Sequence, residues 1–166
     1  RAELESLGHR FRGTGDSEVI LAGFSQWGPE AVTRFIGMFA IALWHLPTRE
    51  LHLLRDRLGV KPLYYHWDGK LLVFGSELKS IGAHGGLKRD IAPLAVEEYF
   101  ALGYVAEPRC IFKQAKKLPP ACTLKVGRGG TALPAPREYW DVRFSLDAKI
   151  SDDEACHELE RRLTES

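Results

Sequence analysis

Apolar and polar positions recur along the chain in two periods, and the change from one to the other marks the elements. Leu4 and Leu7, three apart, give Arg1 to His9 a helical stripe. Ile20, Phe24 and Trp27 share one face of a helix predicted from Ser17 to Trp27, with Thr14 and Asp16 placed to cap it. Gly28-Pro29 breaks that helix, and Pro29 suits the first turn of a short one through Phe35. Met38 to Trp44 is apolar at every position, the pattern of a strand buried on both faces. Pro47-Thr48-Arg49 reads as a turn and Glu50 to Arg55 as the hairpin partner. Strands at Leu63 to Trp67 and Lys70 to Phe74 flank Asp68-Gly69, a strong hairpin signal. A short helix follows through Ile81, then a loop from Gly82 to Gly86, then a helix from Asp90 and Pro93 to about Leu102. The stretch from 104 to 120 reads as irregular and basic, with Lys113, Lys116 and Lys117. Thr123 to Val126 is a short strand closed by a Gly127-Arg128-Gly129-Gly130 turn, and Pro134 to Arg137 is loop or linker. Ser151 and Glu154 form a capping box for a last helix carrying Ala155, Leu159 and Leu163 on one stripe.

Strands in meander order with helices before and after them predict an α+β fold of antiparallel pairs rather than alternating βαβ units. Two packed sheets with outer helices would cover both faces of the Met38 to Trp44 strand. Composition narrows the function classes. With 166 residues, 45% apolar, 27% charged and a net charge of +1, the chain is an ordinary globular one, not disordered, collagenous or coiled-coil. The near-neutral balance offers no electrostatic case for nucleic acid or an anionic membrane surface. No apolar run is long enough to span a bilayer, and no basic start followed by an apolar stretch reads as a secretory signal, so none is expected. Three cysteines at irregular spacing, Cys110, Cys122 and Cys156, read as reduced structural thiols of a cytoplasmic protein, and the six histidines form no metal motif. Both ends read as helix interiors, so the expectation is a piece of a longer protein.

Generic chemistry is sparse. No phosphate loop and no nucleophile elbow occur. The densest cluster is Arg55-Asp56-Arg57 with Gly59, Lys61 and Pro62, which on physical grounds reads as a partly buried ion network holding a strand end rigid. Asp16 on spacing alone reads as an N-cap, and Glu77 as a cap or a partner of Lys79.

The run from Arg55 to Tyr65, Arg-Asp-Arg-Leu-Gly-Val-Lys-Pro-Leu-Tyr-Tyr, closely resembles a signature of the glutamine-hydrolysing asparagine synthetases. Further blocks match in the same order: Arg1 to Phe11, Asp16 to Ile20, Gly37 to Trp44, Phe74 to Ile81, Leu118-Pro119-Pro120 and Tyr139-Trp140. The resemblance implies a class II glutamine amidotransferase domain with an Ntn-hydrolase αββα sandwich, incomplete at its N-terminus. In that family an N-terminal Cys attacks the glutamine side-chain amide. The ammonia released passes to a second domain that uses ATP and magnesium to activate aspartate. Carried over by position, Asp16 is the contact for the glutamine α-amino group. Arg55, Asp56, Gly59, Lys61 and Pro62 belong to a structural signature near the domain interface, and Glu77 lies near the same interface. The family's nucleophilic Cys, oxyanion loop and substrate-carboxylate Arg have no counterpart from Arg1 to Ser166, so the resemblance implies no catalytic residue in this chain and no activity by it alone. It also implies an exposed sheet edge where the family's first strand would lie. Residues 1–135 would be the glutaminase domain and 136–166 a linker and the first helix of the synthetase domain. Glutamine, aspartate and ATP are the expected partners of the full protein, a homodimer is possible, and no metal or cofactor is expected within the chain. Two alternatives stay open: an amidotransferase-like docking or regulatory module without catalysis, and an amidotransferase with another acceptor.

Overall fold

A computed structural model describes residues 1–127, 132–145 and 150–165. Three elements precede the sheets: α1 (Ala2–Ser6), α2 (Asp16–Trp27) and a 3-10 helix (Gly28–Arg34). The strands are β1 (Ala40–His45), β2 (Glu50–Arg55), β3 (Tyr64–Trp67), β4 (Leu72–Gly75), β5 (Ala115–Lys117), β6 (Cys122–Val126) and β7 (Arg137–Glu138). The remaining helices are α3 (Leu78–Gly82), α4 (Pro93–Leu102) and α5 (Asp152–Glu165). Two sheets result, with strand orders β1-β2-β6-β7 and β4-β3-β5, and every pairing is antiparallel. The expected α+β class is therefore what the chain forms.

The sheets face each other. Leu53, Cys122 and Leu124 of the first meet Tyr65 of the second, with Leu63 and Leu118 between strands, in one buried cluster. Each fully buried leucine there contributes about 1.5–3 kcal/mol of transfer free energy. The opposite face of the first sheet carries His52 and Leu54, and the Phe24 ring of α2 lies edge-on to His52 at 5.9 Å. On the second sheet Gly75 pairs with Tyr64, so both point away from Tyr65. There a Cβ on Gly75 would sit 3.4 Å from Ser80 Cβ of α3. The layers thus run helix, sheet, sheet, helix.

Several expectations change. The Met38 to Trp44 run begins its strand at Ala40 and is not covered on both sides. Ala42 pairs with Leu53 and faces the second sheet, yet it is exposed, as are Trp44 (52%) and Met38 (62%). Among the described residues the second sheet has three strands and no strand pairs with the outer edge of β1. An open groove of about 670 Å³ runs there, walled by β1, Ile20 and Leu21 of α2, and Lys61-Pro62. The Asp68-Gly69 hairpin is real but its link spans 68–71. The Asp68 carboxylate accepts the N–H groups of Lys70 and Leu71 and widens the turn. The stretch read as irregular contains β5, and β7 precedes Tyr139. The helix expected through His9 ends at Ser6. Arg128 to Gly130 of the expected turn lie outside the described residues. The Ser151–Glu154 capping box forms as expected, with Ser151 N–H on Glu154 Oε2 at 2.9 Å. Among the described residues no helix is long and apolar enough to cross a membrane.

Candidate functional site

Asp16 is the first residue of α2 rather than its cap. Gly15 takes the N-cap position in an extended conformation, so neither Thr14 nor Asp16 caps the helix with a side chain. That releases the Asp16 carboxylate for other use at the positive end of the helix dipole. It borders a cavity of about 320 Å³ whose opposite wall is Ile36 to Phe39. Arg34 also borders this cavity, but its guanidinium already pairs with Glu3 at 2.6 Å and stacks over Trp27 at 4.2 Å.

The charged signature keeps one partly buried ion pair, Arg55 with Glu107, and is otherwise held by backbone groups. Asp56, 1% exposed, makes no ion pair with its basic neighbours among the described residues. Its carboxylate instead accepts four backbone N–H groups, from Phe39 (3.3 Å), Leu58 (3.2 Å), Val60 (2.9 Å) and Lys61 (2.9 Å). Burial pushes this carboxyl up, but the donors of Lys61, Val60, Phe39 and Leu58 together outweigh it and hold it below the usual range. Asp56 N–H also donates to the Phe39 carbonyl at 2.9 Å. A single buried side chain thus ties the wall of the Asp16 cavity to the Lys61-Pro62 wall of the neighbouring groove.

Arg55, 4% exposed, is gripped from four sides. It donates to the carbonyls of Gly59 (2.6 Å), Lys61 (3.0 Å) and Leu118 (2.5 Å), and pairs with Glu107 at 2.7 Å. A planar fork with five donors is the side chain that can close such a turn. Gly59 has φ +66°, and a Cβ there would meet Pro120 Cγ at 2.8 Å and Arg55 Cζ at 3.0 Å. Arg57 donates to the Thr33 carbonyl at 3.0 Å and lies over the Trp140 ring at 5.4 Å. Tyr139 donates its phenol to the Arg55 carbonyl at 2.7 Å. Burial, and then the charge of Asp56, push that phenol up to about 12, so it stays a donor.

The structure therefore brings together Asp16, Asp56, Lys61 and Pro62 around two adjoining cavities. Glu77 stays apart, exposed and paired with Lys79 at 2.6 Å, although its neighbour Ser76 borders the groove. Sequence reasoning missed Phe39, Glu107 and Tyr139 as partners of these residues, and Glu18, which accepts the Arg12 and Gly13 N–H groups just before α2. Of these only Glu18 carried a local signal, standing three residues after the true N-cap. The thiols of Cys110 and Cys122 are buried and raised, first of all by burial. Cys156 lies exposed on α5. Among the described residues no group of three or more His, Cys, Asp or Glu side chains is placed to hold a metal ion.

The sequence profile of the glutamine amidotransferase domain matches residues 1–140, which include every residue of both cavities. The chain belongs to the glutamine amidotransferase family. It is 36% identical over 154 residues to asparagine synthetase (glutamine-hydrolyzing) 3 of Bacillus subtilis, covering 92% of this chain and 25% of that protein. It is 33% identical over 131 residues to asparagine synthetase (glutamine-hydrolyzing) 1 of the same organism, covering 78% of this chain and 20% of the relative. Amidase chyE of Penicillium rubens is 31% identical over 166 residues, covering 95% of this chain and 23% of that protein. The chain spans a quarter or less of the length of these relatives.

Proposed function

We propose that the chain is the glutamine-binding part of an ATP-dependent asparagine synthetase, with a class II, Ntn-hydrolase-type amidotransferase domain. The observation that carries this is the uncommitted Asp16 carboxylate at the border of a cavity, within the matched family domain. An ionised carboxylate facing an ammonium is a charge-assisted contact, the form a free amino acid needs at its α-amino group. Arg55, Asp56, Gly59, Lys61 and Pro62 then serve as the frame of the pocket, and Glu77 as a surface position near the next domain. Glutamine hydrolysis calls for an activated nucleophile and oxyanion donors. The family's nucleophilic Cys and oxyanion donors have no counterpart from Arg1 to Ser166, so the 166-residue chain alone is expected to release no ammonia from glutamine.

We divide the chain into a glutaminase unit over 1–135 and a lead to the synthetase domain over 136–166. β7 and Tyr139-Trp140 are the part of that lead that lies against the first unit. In the whole protein, ammonia from glutamine would amidate aspartate in a domain that holds ATP and magnesium, in the cytoplasm. A different acceptor is the second reading, favoured by the likeness to amidase chyE. The test supplies the full-length protein with glutamine labelled in its amide nitrogen, together with aspartate, ATP and magnesium. Labelled asparagine is the expected product. Label released only as ammonium moves the acceptor elsewhere, and no release at all contradicts the amidotransferase reading.

A further inference from the structure

We infer that Glu18 is a positioning residue that sets the place of Asp16, an inference resting on the reading of Asp16 as the glutamine contact. Glu18 stands at the third position of α2, where a carboxylate ordinarily turns back to the N–H of the cap residue. Here it passes over the cap. Its Oε2 accepts the N–H of Arg12 at 2.9 Å and of Gly13 at 3.2 Å. The bonds therefore hold the loop before the helix.

That loop needs holding. Thr14-Gly15 separates the clamp from Asp16, and a glycine leaves such a link more free conformations than other residues do. Gly15 caps α2 with no side chain of its own. The other side of the turn is held by Arg1, which donates to the Gly13 carbonyl at 2.7 Å and lies over the Phe11 ring at 4.5 Å. With Arg12 and Gly13 fixed from both sides, the chain enters α2 along one path, and Asp16 meets the cavity from one direction. Without the Glu18 carboxylate two backbone donors lose their partners and the loop is free to open. Asp16 keeps its charge but is held less firmly where an ammonium would meet it.

The test compares E18A, E18Q and D16N in the full-length protein, with L-glutamine as the probe. Three quantities are read: the Kd for L-glutamine, hydrogen exchange at the Arg12 and Gly13 amides, and the thermal midpoint. E18A is expected to raise the Kd about tenfold, as loss of a net hydrogen bond or so would, and to speed exchange at both amides, with the midpoint little changed. E18Q keeps an acceptor oxygen and is expected to recover most of the affinity and protection. A Kd unchanged in E18A while D16N weakens binding overturns the role of Glu18 and leaves the reading of Asp16 standing. A Kd unchanged in D16N removes that reading and this inference with it. A Kd raised equally in E18A and E18Q, with both midpoints lowered alike, makes Glu18 merely structural and also overturns the inference.

Discussion

Asp56 Oδ2 accepts the Phe39 N–H at 3.3 Å across 17 residues of chain, and the Asp56 N–H returns the bond to the Phe39 carbonyl at 2.9 Å. This reciprocal pair continues the β1–β2 ladder past Arg55 and fixes the backbone that walls the Asp16 cavity. The same carboxylate holds Leu58, Val60 and Lys61. The signature and the pocket are therefore one mechanical unit.

Asp56→Ala should be severe, because it strands four backbone donors around a buried void. Each donor left without a partner costs about 1–3 kcal/mol. The expected result is a denaturant midpoint too low for the variant to stay folded at ambient temperature. The folded carboxyl lies below its unfolded value. Its contribution is therefore fully present above the ordinary Asp range and is lost as pH falls through the folded value. Acid titration of the wild-type protein, followed by circular dichroism, should show unfolding begin below about pH 4.

Gly59→Ala should destabilise for two reasons that act together. The backbone there is left-handed, at about 1–2 kcal/mol for a non-glycine residue, and the added methyl meets Pro120 and Arg55. The Arg55 fork would have to shift, so the loss should exceed the backbone cost alone. Gly69→Ala is the control. It has φ +101° but open space around the new Cβ, so it should show the backbone cost without the clash. Chemical denaturation of both variants measures the difference.

His52 makes the fold sensitive to mild acid. It is 5% exposed beneath Phe24, with Glu50 at 3.7 Å and Lys125 nearby. Burial chiefly lowers its pKa, Glu50 opposes the shift, and Lys125 and His45 add to it. The folded value lies below the unfolded one of about 6.5, so the unfolded chain takes up the proton first. Stability should be full above about pH 6.5 and fall as pH drops below it, until the folded value is reached. Urea midpoints between about pH 7.5 and about pH 5.5 should decline in the wild type and flatten in H52Q.

Much of this fold is legible in the amino-acid sequence alone. The Leu63 to Phe74 hairpin, α2, α4, the Ser151 box and the α+β class follow from period and turn residues, which act locally. Asp16 and the Arg55 to Pro62 run stand out by resemblance. What stays hidden depends on long-range partners. Nothing near Asp56 in sequence reveals that Phe39 is its partner, and charge counting suggests ion pairs where backbone donors do the holding. Glu107 lies 52 residues from Arg55, and Tyr139 lies 84. The exposure of β1 escapes the pattern because an apolar run signals a need for cover but not which part of a protein supplies it. β5 and β7 escape it because three-residue and two-residue strands carry too few positions to show a period.

The central claim is that Asp16 holds the ammonium of a free glutamine. Its most direct test is calorimetric titration of L-glutamine into the full-length wild-type protein and into D16N, with the thermal midpoint of each recorded. The expected result is saturable binding by the wild type, weakened roughly 10- to 100-fold in D16N, the loss of one charge-assisted hydrogen bond, at an unchanged midpoint. Equal affinity in the two proteins would contradict the claim.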